Sequence, residues 1–150
     1  MNQNPDIKIF PAMKAFVCFE GKILLLKESS SYDEGTNSGK YDVVGGRVKP
    51  LERFDDGLRR EVYEETGLEI KIGNPFSVGE WRPIIGDQQL QIVGTFFECF
   101  SKSDRVELSR DYDSFEWIDP LKYKDCNLIQ NLFPAFESYL KFKSQIQLLS

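Results

Sequence analysis

Hydrophobic and polar positions alternate along the chain in a way that predicts many strands and two helices. Runs rich in apolar, β-branched and aromatic residues, bounded by Gly, Pro, Asn and Asp, are typical of strands. Such runs occupy residues 12–19, 22–27, 41–44, 69–72, 76–81, 89–100 and 114–118. Glu20-Gly21, Gly73-Asn74-Pro75 and Gly86-Asp87 separate them and predict turns. Residues 28–40 are polar and rich in Ser and Gly, which predicts a long loop that is functional or mobile.

In two other segments the apolar residues recur with the spacing of a helix. Between Phe54 and Thr66 the apolar stripe runs through Leu58 and Val62, and Gly67 supplies a left-handed stop. A closing helix is predicted over residues 127–140, where Pro134 kinks or restarts it. Strands around a central helix, followed by a terminal helix and without an internal repeat, predict a single α/β sandwich domain over residues 1–150.

Three glutamates share one face of the first predicted helix. Glu61, Glu64 and Glu65 stand at i, i+3 and i+4, and Glu61 and Glu65 border the apolar stripe. Carboxylates this close together are stabilised by a cation. The spacing alone leaves two interpretations open: a divalent cation site, or a solvated helix face in which Arg60 and Glu64 form an i, i+4 ion pair.

Composition and charge narrow the class of protein. The 150 residues are 41% hydrophobic and 29% charged, as in soluble globular proteins. A net charge of −5 argues against a nucleic-acid binder, whereas a small phosphorylated ligand is compatible because a bound cation reverses the local field. We find no apolar leader and no apolar run of membrane-spanning length, so we expect a cytoplasmic protein without a membrane partner.

The chain contains no histidine, which excludes Ser-His and Cys-His nucleophile pairs. A general base is therefore Asp, Glu, Lys, Tyr or a metal-bound hydroxide. Hard carboxylate oxygens favour Mg²⁺, with Mn²⁺ as the alternative. The three cysteines share no close spacing, and Cys18 and Cys99 lie in apolar runs, which predicts buried reduced thiols rather than disulfides or a metal knuckle.

Gly46, Glu52 and residues 60–68 (REVYEETGL) fit the spacing G-x5-E-x7-R-E-U-x-E-E-x-G-U, where U is aliphatic. This segment resembles the Nudix box at every specified position, and the flanking strands and terminal helix resemble the same family over most of the chain. The resemblance implies a Nudix-type α/β/α sandwich with a mixed central sheet. It also implies hydrolysis of a diphosphate bond, by metal-activated water, in a nucleoside diphosphate linked to another moiety.

The resemblance assigns roles to individual positions. The implied metal ligands are Gly45 through its carbonyl oxygen, Glu52, Glu61, Glu64 and Glu65. The implied catalytic residues are Glu61, Glu64 and Arg60, with Arg60 and Glu52 orienting the cluster. Two neighbours depart from common family usage outside the defining pattern: Val44 precedes Gly45-Gly46 in place of Pro, and Leu51 replaces a frequent Gly.

The general base and the substrate-binding residues are less constrained. The base is Glu61, Glu64, or a carboxylate outside the box. The outside candidates are Asp111, Asp113 and Glu116, which precede Trp117, and Glu98, whose place in an apolar strand predicts exposure on the alternate face. The candidates for stacking on a base or holding phosphate are Tyr32, Tyr41, Arg47, Phe76, Trp81 and Arg82. Aromatic residues on strands also serve as core.

Two other functions and the assembly state remain open. A Nudix domain that senses a nucleotide without cleaving it would have no need for the complete carboxylate set. Isomerisation of an isoprenoid diphosphate resembles Cys and Glu acid/base chemistry, and no cysteine occupies a matching position. The Phe-rich strands and the terminal helix suit either a homodimer interface or the core. The expected partner is a small-molecule nucleotide.

Overall fold

A computed structural model describes residues 6–30 and 37–149, which contain eight strands, two α-helices and one 3₁₀ helix. The strands are β1 (Lys8–Phe19), β2 (Lys22–Glu28), β3 (Tyr41–Asp42), β4 (Val44–Arg47), β5 (Ile70–Trp81), β6 (Ile84–Ile85), β7 (Gln88–Ser101) and β8 (Tyr112–Ile118). The helices are α1 (Phe54–Thr66) and α2 (Leu132–Leu149), and the 3₁₀ helix spans Pro120–Asp125.

Strand β1 lies at the centre of a mixed sheet with the order β3-β2-β1-β7-β5. It runs parallel to β7 from Lys8 to Cys18 and antiparallel to β2 and β4 along its other edge. Strand β8 pairs with β2, and β5 pairs antiparallel with β7. This mixed sheet with its helices confirms the predicted α/β class.

Neighbouring residues of the central strands pack on opposite faces of the sheet. Phe16 and Leu25 belong to an apolar cluster completed by α2, whereas Val17 and Leu24 belong to a second cluster completed by α1. All four side chains have no exposed surface. Because side chains alternate along a strand, continuous apolar runs can build a core on each face.

Helix α1 ends where the sequence predicts. Gly67 has φ 72° and its N–H donates to the Tyr63 carbonyl, so a glycine closes the last turn in the left-handed region. Leu58 and Val62 are fully buried, while Phe54 remains half-exposed and stacks on Phe97 with ring centroids 5.7 Å apart. The buried stripe fixes the rotation of the helix, and therefore the direction of its glutamates.

Several predicted boundaries are wrong. Gly73-Asn74-Pro75 forms no turn, because β5 continues through these residues with irregular pairing to β7 that accommodates the proline. Helix α2 begins at Leu132 and ends at Leu149, so Pro134 lies in the first turn, where no backbone donor is lost. Part of the predicted loop, residues 31–36, lies outside the described residues, as does Tyr32.

All three cysteines are free thiols, as predicted; Cys99 is buried and Cys18 is partly buried. Of the helices within residues 6–30 and 37–149, none is long and apolar enough to cross a membrane.

Candidate active site

Helix α1 places two of its glutamates against the glycine pair of β4. The Gly45 N–H donates to Glu65 Oε2 at 3.4 Å. A Cβ added to Gly46 would lie 3.0 Å from Glu61 Cδ, closer than an ordinary van der Waals contact. Gly45 has φ 132°, which disfavours any side chain at that position. The glycines therefore let a strand and a carboxylate-bearing helix approach closely, and Glu61 and Glu65 border the buried stripe as predicted.

Arg60 binds carboxylates on both sides of it. Its Nε and Nη2 donate to the two oxygens of Glu52 at 2.7 and 3.0 Å, which is a bidentate pair. Its Nη1 donates to Glu61 at 3.1 Å and to Glu64 at 3.2 Å. The Arg60 hydrogen bonds, followed by the Lys49 N–H, lower the pKa of Glu52 to about 2. Arg60 thereby joins three of the predicted site residues into one network.

Glu65 has a different environment from Glu64. The side chain of Glu64 is 55% exposed, whereas burial raises the pKa of Glu65 well above its ordinary value. The Lys14 ammonium and the Gly45 N–H oppose that rise, while the Glu61 carboxyl reinforces it through its charge and a hydrogen bond. Glu61 and Glu65 are therefore neighbouring carboxyl groups in surroundings that disfavour a negative charge on Glu65.

The phenol of Tyr112 lies beside Glu65 in this cluster. Its pKa is raised, first by burial and then by the charges of Glu65 and Asp42, and it also forms a side-chain hydrogen bond with Glu65. The phenol is consequently protonated throughout the neutral pH range and acts as a donor to Glu65. Tyr112 limits the directions in which the Glu65 carboxylate can turn.

The donor set is compatible with Mg²⁺ but is not arranged around an ion. Within the described ranges, no group of three or more acidic or cysteine side chains converges on a point that could hold a metal. Arg60 holds the Glu61 and Glu64 carboxylates, and Glu65 turns to Gly45 and Glu61. The chemistry of carboxylate oxygens and the crowding of Glu61 on Glu65 nevertheless suit a hard divalent cation. Arg60 uses one oxygen of Glu61 and one of Glu64, so a cation can bind these carboxylates through their other oxygens.

A cavity of about 810 Å³ adjoins this cluster. Its walls include Lys14, Asp42, Gly46, Trp81 and Asn131. The side-chain oxygen of Asn131 is buried and has no hydrogen-bond partner among the described residues. Gly46 both lines the cavity and contacts the Glu61 carboxyl, so the cavity and the acidic cluster meet at this residue.

The structure brings some predicted substrate-binding residues to the cavity and not others. Arg47, Trp81 and Arg82 line it; Arg47 also lies over the Phe10 ring, and Arg82 donates to Glu80 at 2.6 Å. Trp81 covers Gly94, where an added Cβ would collide with the indole.

Tyr41 and Phe76 do not line the cavity, because both pack against the apolar cluster on the α2 face. Phe76 contacts the Phe16 ring at 4.8 Å. For these two residues the core interpretation of strand aromatics applies. The backbone of Tyr41 is held by hydrogen bonds to Asn127 and Ile129.

The predicted exposure of Glu98 is wrong. The residue is 5% exposed, and its Oε2 accepts hydrogen bonds from Tyr139 at 2.6 Å and Lys143 at 3.0 Å. Both partners lie on α2, so Glu98 faces the side of the sheet opposite to α1. An apolar strand covered on both faces has no exposed alternate face, and the structure does not bring Glu98 to the acidic cluster.

Three candidates for an outside base remain, and one of them lies near the cluster. Glu116 is exposed and pairs across the sheet with Leu25, which faces α2. Asp113 is also exposed. Asp111 is close enough to raise the pKa of Tyr112, the residue that contacts Glu65. Of these three, Asp111 is the one whose charge reaches the neighbourhood of the cluster.

Sequence reasoning missed four residues of this region: Lys14, Asp42, Tyr112 and Asn131. Lys14 offered a signal, since a charged residue inside an apolar run such as residues 12–19 must find a partner if the strand is covered on both faces. Tyr112 lies between Asp111 and Asp113, whose carboxylates were the candidates chosen from this segment. Asp42 and Asn131 gave no comparable signal.

The comparisons with known proteins agree with this fold. The family model described as the NUDIX domain matches residues 10–137. The chain belongs to the Nudix hydrolase family, which confirms the resemblance found in the box. It is accordingly a hydrolase.

Individual relatives cover most of the chain. The nucleoside triphosphatase NudI of Klebsiella pneumoniae (strain 342) is 29% identical over 117 residues, which are 72% of this chain and 82% of that protein. The protein of the same name from Escherichia coli (strain K12) is 27% identical over 118 residues, covering 73% and 82%. The crystal structure of the MutT protein of Methanosarcina mazei Go1 has a TM-score of 0.78 at 26% identity, covering 93% of this chain and 99% of that chain.

Proposed function

We propose that this protein is a Mg²⁺-dependent pyrophosphohydrolase that cleaves a diphosphate bond in a nucleoside triphosphate or another nucleoside diphosphate derivative. One observation carries the proposal: a cavity of nucleotide size meets a crowded pair of carboxylates at Gly46, where no side chain intervenes. A nucleoside in the cavity then directs its phosphates towards Glu61 and Glu65. Nucleoside triphosphates are favoured because the NudI relatives are named as nucleoside triphosphatases.

The residues of the cluster have separate roles in this proposal. Glu61 and Glu65 would hold the divalent cation, with Glu64, Glu52 and the Gly45 carbonyl as further ligands. When bound, a divalent cation would neutralise phosphate oxygens and lower the pKa of a water molecule, which attacks phosphorus as it loses a proton. Glu61 or Glu64 accepts the proton of the attacking water, with Asp111 as the outside alternative.

Arg60 and Glu52 orient the carboxylates. Their bidentate pair fixes Glu52 against Gly57, where an added Cβ would lie 2.8 Å from Glu52 Oε1. Arg60 binds Glu52 through Nε and Nη2 and contacts Glu61 and Glu64 through Nη1. It can therefore hold all three carboxylates in place while their other oxygens contact a cation.

Trp81 on the cavity wall offers an aromatic surface on which a base can stack. The proposal places the entire activity in one domain, since both helices pack on the same sheet.

The decisive experiment is a substrate screen. The purified chain is incubated with ribo- and deoxyribonucleoside triphosphates, nucleotide sugars and dinucleotides, each with Mg²⁺, Mn²⁺ or EDTA, and products are identified by mass. We expect release of a nucleoside monophosphate together with pyrophosphate or a phosphorylated second moiety, dependent on the metal. Tight metal-dependent binding without turnover across the panel would instead establish a nucleotide sensor and refute hydrolysis.

A further inference from the structure

Lys14 combines two properties that rarely occur together, near-complete burial and unpaired donors. The residue is 7% exposed, and it is the one buried lysine among the residues that the structure describes. Its ammonium donates to Asp42 Oδ2 at 3.1 Å. An ammonium has three N–H donors, and the described residues provide a hydrogen-bond partner for one of Lys14's. Burying a charged group with unmade hydrogen bonds is costly unless another group completes them.

The position of Lys14 points to the group that completes them. Lys14 lies on β1 directly across from Gly45 of β4, so its side chain passes a residue that has none. It lines the cavity together with Asp42 and Gly46. On the other side of Gly45 stands Glu65, whose pKa the Lys14 charge lowers. The ammonium thus stands between the cavity that would take the nucleoside and the carboxylates that would take the cation.

Among the described residues, three cationic ones line the cavity, Lys14, Arg47 and Arg82, and Arg82 donates to Glu80. Arg47 lies over the Phe10 ring at 4.5 Å and is largely exposed, whereas Lys14 is buried and held by Asp42. A buried ammonium interacts more strongly with an anion than an exposed one does, because less water screens it. Asp42 restricts the rotation of the Lys14 side chain, which lowers the entropy lost when a ligand binds.

We propose that Lys14 is a phosphate-positioning residue whose ammonium binds the nucleoside-side phosphoryl group of the substrate, with Asp42 holding it in place. The inference rests on the proposed function for the identity of the ligand as a nucleotide. Beyond that function, the nucleoside-side phosphoryl group is bound directly by Lys14, whereas the other phosphates are bound through the metal ion.

The alternative role for Lys14 is charge balance alone. In that case the ammonium compensates Asp42 and Glu65 and never contacts the ligand. Removing it then strengthens the binding of Mg²⁺, because a positive charge near the carboxylates is lost, and leaves the contribution of the phosphate unchanged. The two roles therefore predict different changes in affinity. If Lys14 binds phosphate, its removal weakens the binding of a phosphorylated ligand but not of the unphosphorylated nucleoside. If Lys14 only balances charge, the affinity contributed by the phosphate stays the same.

The test compares binding of nucleosides, their monophosphates and the α,β-methylene analogues of their triphosphates by calorimetry with Mg²⁺. The variants are Lys14→Met, the double variant Lys14→Met/Asp42→Asn, and Lys22→Met as the control, since Lys22 is exposed at the start of β2 and does not line the cavity. The double variant removes the carboxylate that Lys14→Met would leave without its partner. Thermal unfolding establishes that each variant is folded.

We expect Lys14→Met and the double variant to weaken binding of the monophosphate and of the methylene analogue by about tenfold to a hundredfold. Binding of the unphosphorylated nucleoside should stay within about twofold of wild type, as should all binding by Lys22→Met. Monophosphate affinity that is unchanged in a folded double variant overturns the proposal, and so does a wild-type chain that binds no phosphorylated ligand.

Failure of the proposed function gives a different result. A wild-type chain that binds the methylene analogue but releases no product from any triphosphate refutes hydrolysis, while the binding comparison still decides the role of Lys14. For an active enzyme, a further readout separates positioning from folding. Loss of the Lys14 contact should raise KM at least as much as it lowers kcat, because the phosphoryl group is held in the ground state as well as during reaction.

Discussion

The two faces of the sheet each bury a carboxylate, and the two carboxylates have opposite surroundings. On the α2 face, Glu98 accepts hydrogen bonds from the Tyr139 hydroxyl and the Lys143 ammonium, both from a single helix. On the α1 face, Glu65 faces another carboxyl, Glu61, and its donors are the Gly45 N–H at 3.4 Å and the Tyr112 hydroxyl. A buried charge that the chain itself neutralises is structural, whereas one crowded by a like charge favours binding of an external cation.

The largest effect is expected when the α1 face loses one of its carboxylates. Glu61→Gln keeps the shape of the side chain and removes its charge, so the cluster should bind the divalent cation poorly. We expect kcat for the best substrate from the screen to fall by about a hundredfold or more. Steady-state kinetics at saturating Mg²⁺ measures the change.

The control for this variant is Glu69→Gln, because Glu69 is an exposed glutamate just beyond the end of α1. Its activity should match that of the wild type. Full activity in Glu61→Gln would remove the basis for treating the α1 face as the reacting one.

The same substitution on the α2 face should act on stability instead. Glu98→Gln replaces a charged acceptor of two hydrogen bonds with a neutral one, so the free energy of unfolding should fall by about 1–3 kcal/mol. Urea denaturation measures this loss, and kcat should remain within about twofold of wild type. Tyr139→Phe removes one of the two bonds and should give a smaller loss. A large decrease in kcat with unchanged stability would mean that the two faces are not divided as described.

Mg²⁺ should stabilise the protein through the α1 face alone. A ligand that binds the folded state at ten times its Kd adds about 1.4 kcal/mol to the free energy of unfolding. Thermal unfolding with and without Mg²⁺ should therefore show a rise in Tm for wild type and for Glu98→Gln, and little or no rise for Glu61→Gln. A rise in Tm of equal size in all three proteins would place the cation elsewhere.

The smallest effect is expected in the loop that leads into α1. Leu51 has φ 63° and a fully exposed side chain, so its leucine contributes backbone strain without packing. Leu51→Gly should relieve about 1 kcal/mol of that strain, offset in part by the larger entropy of glycine in the unfolded chain. A gain of up to about 1 kcal/mol in urea denaturation, with unchanged kcat, is expected. Destabilisation would show that the Leu51 side chain has a contact that the exposure does not reveal.

The α1 segment was predictable because its determinants are local. The period of Leu58 and Val62 sets the buried stripe, Gly67 ends the helix, and the i, i+3, i+4 spacing places three glutamates on adjacent turns. The box spacing also identified the family. The boundaries of β5 and α2 were not predictable in the same way, because long-range pairing with β7 carries a strand through Pro75, and packing on the sheet decides where α2 begins.

The sequence by itself therefore determined the mixed α/β class, the central helix, the acidic cluster on one face of that helix and membership of the Nudix family. The tertiary structure decided which side chains from distant segments reach that cluster. Lys14, Asp42 and Tyr112 come from three different strands. Glu98 lies on the opposite face of the sheet, because its strand is covered on both faces. Helical spacing is set by bonds between near neighbours, whereas contacts between strands depend on register, which no local pattern in this chain specifies.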